Sequence, residues 1–245
     1  MELHKIRDWL TAPFRLEYNP DSLWHFKAHP EAAALFKLFV KGQENNNSGD
    51  FSRFFSLLLN LKMLGRRNVP GDFAEVGVYK GNTAAILAYY AAKQQRKLYL
   101  FDTFKGFDDH NLAGVDAKIS PAFQDADFNE VKKLVGHPEV CRYFIGLFPD
   151  SLPLEMADKK FAFVSLDCDL YQPMKAGLNF FFPRMASGGL LFLHDYSSGF
   201  WPGATQAVEE FIGEHSLSLV LLPDKSGTPV LPAAGSREAS ASLVL

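Results

Sequence analysis

Four residues in one stretch of this chain, Asp167, Asp169, His194 and Asp195, are of types that hold metals and move protons. They lie in FAFVSLDCDLYQPMKAGLNFFFPRMASGGLLFLHDY, Phe161 to Tyr196, where two apolar runs each end in acidic or imidazole groups. Carboxylates brought close together repel and raise a pKa unless something positive sits between them. A hard divalent cation answers that need, because magnesium prefers carboxylate and water oxygens. If the chain is still extended at Asp167 and Asp169, both side chains point to one side and Cys168 to the other.

The elements that must position these groups alternate between strand and helix. Phe161–Leu166 and Leu190–Leu193 are strand-length apolar runs separated by a helix-length segment. Strands ending in carboxylates are what an open α/β sheet offers a ligand at its carboxyl edge. Upstream, Phe73–Tyr79, Lys97–Asp102 and Cys141–Ile145 read as strands, and Asn82–Lys93 and Asp127–Leu134 as helices. Downstream, a helix follows Pro202–Gly203, with strands near Leu217–Leu222 and Pro229–Leu231. This alternation predicts a doubly wound sheet over residues 71–232. Residues 1–70 read as a helical N-terminal extension, because Ala32–Val40 and Phe51–Leu64 repeat apolar residues at three- and four-residue steps. Ser48 and Asp50 are candidate caps for the second of these helices. The tail, 233–245, is small and polar with an apolar end and reads as flexible.

A chain of 245 residues supports one large domain with a sizeable core, which its 23 Phe would thicken. A net charge of −3 gives no electrostatic reason to expect nucleic acid or an anionic membrane. Cys141 and Cys168 lack metal spacing and read as buried free thiols in a reducing compartment. Nothing resembles a signal peptide, and no apolar run nears the roughly 20 residues of a membrane span. These features predict a cytoplasmic protein with a small-molecule partner, homo-oligomerisation being left open.

The first strand-to-helix turn holds Glu75, Gly77 and Gly81 in an E-x-G-x-x-x-G pattern. Glycines there let backbone approach a ligand, and the helix beyond presents free N–H groups. Asp102 closes the next strand, 21 residues after Gly81, where an acid is placed to bind a ribose hydroxyl pair. Tyr79 stands where a middle glycine would admit a pyrophosphate, so the pattern argues for an adenosine ligand without a diphosphate.

The blocks AEVGVYKGNTA, LFDTFKGF, GLFPDSLP, LDCDLYQPM, GGLLFLHDY and PGATQAVEEF run in order from about residue 72 to 211. In them the chain resembles the macrocin O-methyltransferase family, S-adenosylmethionine-dependent enzymes that methylate sugar hydroxyls on antibiotics. The resemblance implies a class I methyltransferase fold, Rossmann-like, with Glu75, Gly77, Tyr79 and Gly81 around the cofactor. It further implies Asp102 on the ribose, the loop from Gly146 near the adenine, and a divalent ion, usually magnesium. Asp167 and Asp195 would be metal ligands and Asp169 the general base, acting on a sugar or related polyol. The family pattern has two consecutive aspartates where this chain has His194–Asp195. Four readings follow: magnesium retained with water in place of the lost carboxylate, manganese or another transition ion instead, His194 serving as base, or no metal. Two rival readings are a noncatalytic cofactor-binding protein with a degenerate metal site and a nicotinamide oxidoreductase, the latter disfavoured by the turn.

Overall fold

The computed structural model describes residues 25–233; positions 1–24 and 234–245, with His4 and nearly all of the tail read as flexible, lie outside the described residues. Two helices, α1 (Ala32–Val40) and α2 (Phe51–Arg66), precede the sheet, as their apolar periodicity predicts. Asp50 caps α2 by accepting from the Arg53 N–H at 3.1 Å, whereas Ser48 makes no cap of it. Part of the phenylalanine excess is spent here: Phe36, Phe39, Phe51 and Phe54 form a mutually packed ring cluster between the two helices.

The sheet has seven strands in the order β3-β2-β1-β4-β5-β7-β6. β1 (Asp72–Val76), β2 (Leu98–Asp102), β3 (Cys141–Ile145), β4 (Phe161–Leu166) and β5 (Met185–Leu193) are parallel. β7 (Pro229–Pro232) pairs antiparallel with both β5 and the two-residue β6 (Val220–Leu221). The expected first strand is shorter than read, ending at Val76, because the chain turns left-handed at Gly77. β5 begins earlier than read, at Met185, since Ser187 to Gly189 carry no apolar signal yet continue the strand.

Parallel strands covered on both faces read as unbroken apolar runs, and every residue of β4 is buried. One face of the sheet, through Phe73, Phe163 and Phe192, packs on α1, α2 and α3 (Asn82–Lys93), with α4 (Phe128–Val135) beside them. The other, through Val76, Val164 and Leu191, packs on α5 (Tyr171–Phe181) and α6 (Pro202–His215). The helical layer is therefore continuous with the core. Strand order reverses between β1 and β4, which opens a crevice beyond their carboxyl ends. Among the described residues no helix is long and apolar enough to cross a membrane.

Candidate functional site

A cavity of ≈ 880 Å³ occupies that crevice and is lined by the ends of β1, β2, β4 and β5 and the loop beyond β3. Its volume is in the range that encloses a ligand of cofactor size. Glu75, Gly77, Tyr79, Asp102, Gly146, Asp167, Asp169, His194 and Asp195 all line it; Gly81 does not.

On the cofactor side, Gly77 and Gly81 take positive φ, 86° and 83°. A Cβ on Gly77 would sit 1.8 Å from the Asp167 carbonyl oxygen, and one on Gly81 would meet Val135 at 2.8 Å. Both glycines thus serve the packing of β1 on β4 and of α3 on α4. Asp102 organises the turn: its Oδ2 accepts from the Val78 and Tyr79 N–H groups at 2.6 and 2.8 Å, and its Oδ1 accepts from Phe104 N–H at 2.7 Å. Glu75 is buried, its Oε2 has no partner, and burial followed by the Asp167 charge pushes its carboxyl well above the usual range. An unpartnered buried carboxyl on a cavity wall suits a cationic ligand group.

On the chemical side the chain departs from the extended geometry expected after Leu166. Asp169 and Asp195 both adopt positive φ, 60° and 65°, uncommon for residues with a Cβ and frequent at working sites. The expected alternation about Cys168 therefore fails, and the two aspartates beyond β4 face different partners. Asp167 Oδ1 lies 2.7 Å from His194 Nδ1, while its Oδ2 accepts from Arg53 Nη2 at 2.7 Å. Asp169 instead pairs with Asp195, and its carboxyl is pushed well up by burial, then by the charges of Asp195 and Asp167. The backbone ladder sets this convergence: Asp167 N–H bonds the Val76 carbonyl and His194 N–H the Leu166 carbonyl, both at 2.8 Å.

His194 is buried, with Nδ1 also 2.6 Å from Asp195 Oδ2. Burial and Arg53 oppose its protonation, but Asp167 and Asp195 outweigh them and raise its pKa to about 9. One ligand atom from each of Asp167, His194 and Asp195 lies within 4.8 Å of the others, a spacing and donor set that fit one divalent ion. No other such group occurs among the described residues. Asp167 and Asp195 thus meet as expected, and His194 joins them.

Arg53 joins the site without any local motif to single it out. It sits one turn into α2, and its Nη2 also contacts Thr83 Oγ1 at 3.2 Å, which carries the helical layer into the site. Over the cavity mouth, Phe107, Phe123 and Trp201 stack edge to face, and Tyr79 packs on Phe123. The acidic loop of residues 108–127 folds over this wall. Tyr79 Oη donates to Asp125 Oδ1 at 2.5 Å, and Lys80 pairs with the other oxygen at 2.7 Å. Phe200 is exposed beside Trp201.

Residues 52–222 match the family model described as Macrocin-O-methyltransferase (TylF). The chain is 28% identical over 172 residues to the Mycinamicin III 3''-O-methyltransferase of Micromonospora griseorubida, covering 62% of this chain and 65% of that protein. It is 26% identical over 174 residues to the Demethyldecarbamoylnovobiocin O-methyltransferase of Streptomyces niveus, covering 65% of each. The matches thus span just under two thirds of these relatives' lengths. The solved O-methyltransferase NovP superposes with a TM-score of 0.64 at 21% identity, covering 75% of this chain and 80% of that one. That likeness establishes the class I methyltransferase fold.

Proposed function

The chain belongs to the macrocin O-methyltransferase family, and from that premise we propose that it moves a methyl group from S-adenosylmethionine to a hydroxyl of a sugar or related polyol. The observation that carries this reading is the joining, in one cavity, of the unpartnered Glu75 carboxyl to the Asp167–Asp169–His194–Asp195 cluster.

In this reading the donor lies along the β1 and β2 ends, its cationic end toward Glu75 and its ribose toward Asp102. Gly146 and the backbone after it border the adenine. The acceptor enters from the aromatic mouth, where Trp201 and Phe107 cover the apolar face of a sugar ring and exclude water. Asp169 takes the hydroxyl proton as the oxygen attacks the methyl carbon. The carbon–sulfur bond breaks, its electrons return to sulfur, and S-adenosylhomocysteine leaves. A base so placed contributes about 10²–10⁴-fold, and in-line alignment of oxygen, methyl and sulfur contributes further. Asp167, His194 and Asp195 would hold a divalent ion, which acts as a Lewis acid on the acceptor oxygen when bound. Arg53 fixes the Asp167 carboxylate from the side opposite His194.

The test is production of S-adenosylhomocysteine from S-adenosylmethionine with a panel of free and glycosidic sugars, run with and without EDTA. Turnover lost on chelation and restored by divalent metal supports the whole reading. Equal turnover in both conditions would remove the metal from it.

A further inference from the structure

The two nitrogens of His194 face different surroundings. Nδ1 faces the carboxylates of Asp167 and Asp195, at 2.7 and 2.6 Å. On its other side the ring borders a small void of ≈ 10 Å³, shared with Arg53, Thr83, Asp224 and Thr228. His194 Nε2, Asp224 Oδ2 and Thr228 Oγ1 are all buried and make no hydrogen bond within the chain. His194 and Thr228 are 6% and 3% exposed, so open solvent does not satisfy them. Three unpartnered polar atoms around one void the size of a water define a bridged network. A single water there would accept from His194 Nε2–H and donate to Asp224 Oδ2, with Thr228 Oγ1 as the third partner.

That network holds a hydrogen on Nε2, and a divalent ion at the cluster would displace the hydrogen that Nδ1 directs at Asp167 and Asp195. A ligating imidazole is commonly held this way, its outer N–H directed through water or directly to a carboxylate, and such partners tune metal affinity. Asp224 is itself anchored, its Oδ1 accepting from Thr228 N–H at 2.9 Å. The ligand set then has one neutral imidazole and two carboxylates, and one carboxylate already shares its charge with Arg53. Less negative charge weakens a hard ion such as magnesium, which relies on charged oxygens. Imidazole suits the first-row transition ions instead. Resting on the metal-assisted reading above, we propose that Asp224 and Thr228 form the outer shell that holds His194 as an Nδ1 ligand, and that the site binds Mn²⁺ or Co²⁺ in preference to Mg²⁺.

The experiment is calorimetric titration of the chelator-treated full chain with Mg²⁺, Mn²⁺ and Co²⁺ separately, followed by S-adenosylmethionine. Mn²⁺ and Co²⁺ should bind at least about tenfold tighter than Mg²⁺, and His194→Asp should narrow that ratio. Asp224→Asn should lower Mn²⁺ affinity about 10–100-fold, with S-adenosylmethionine binding unchanged. Thr228→Val should lower it in the same direction, which covers the case in which Asp224→Asn fails to fold. Magnesium binding as tightly as manganese, a ratio unmoved by His194→Asp, or Mn²⁺ affinity indifferent to folded Asp224 and Thr228 variants would overturn the inference. No detectable binding of any of the three ions would sink the metal assignment and leave the methyl-donor reading standing. Failure to bind S-adenosylmethionine would sink that reading instead.

Discussion

Arg53 Nη2 and Asp167 Oδ2 meet at 2.7 Å across 114 residues of chain. This contact makes the helical layer part of the candidate site. It supplies a part-buried positive charge to a cluster of carboxylates that would otherwise repel one another. Burial disfavours the charged guanidinium, yet Asp167 and Asp195 outweigh that and hold Arg53 charged.

Removing one partner of this part-buried pair leaves the other uncompensated, which destabilises by less than the about 3–5 kcal/mol of a fully buried pair. Arg53→Met should therefore lower the urea midpoint, while Arg53→Lys should lose less. A midpoint unchanged in Arg53→Met would mean that the pair contributes nothing to the fold.

The fold was legible because its signals are local. The apolar run of Phe161–Leu166 matches β4 to the residue, and Asn82–Lys93 matches α3. The β1 to β5 ladder then brings Asp167 beside His194 and Asp195, as strands ending in acids suggest. What was hidden depends on the third dimension. Nothing in the local pattern around Arg53 separates it from any arginine on a helix, and its partners lie 30 and 114 residues away. The left-handed turns at Asp169 and Asp195 were likewise invisible, because aspartate rarely announces a positive φ. The packing role of Gly81 was hidden for a related reason: a glycine that clears Val131 and Val135 reads the same in sequence as one that clears a ligand.

Asp102 accepts three backbone hydrogen bonds in the cofactor turn. Asp102→Ala should weaken S-adenosylmethionine binding by at least about tenfold, since each such charge-assisted bond is worth roughly 1.5–3 kcal/mol. Calorimetry of the folded variant checks this. Unchanged affinity would detach Asp102 from the cofactor.

Asp169→Asn should reduce the methyl-transfer rate by about 10²–10⁴-fold with cofactor affinity nearly intact. Single-turnover kinetics alongside a binding titration separates the two quantities. A variant that turns over normally would dismiss Asp169 as the base.

Glu31 carries the pH dependence of the helical layer. Burial raises its carboxyl, but hydrogen bonds from Lys62, from backbone and from Tyr90 outweigh burial and hold it down to about 2. A folded value below the ordinary 4.5 means stability that is fully present above pH 4.5 and is lost as pH falls through about 2. The melting temperature should fall over that window, and Glu31→Gln should fall less steeply. Parallel curves for the two proteins would show that Glu31 contributes no such term.

The most direct measurement is a titration of the full chain with S-adenosylmethionine, repeated with S-adenosylhomocysteine and with NAD. One S-adenosylmethionine bound per chain, competed by S-adenosylhomocysteine and not by NAD, is the predicted result. No binding of S-adenosylmethionine, or equal competition by NAD, would contradict a methyl-donor cavity at this sheet edge.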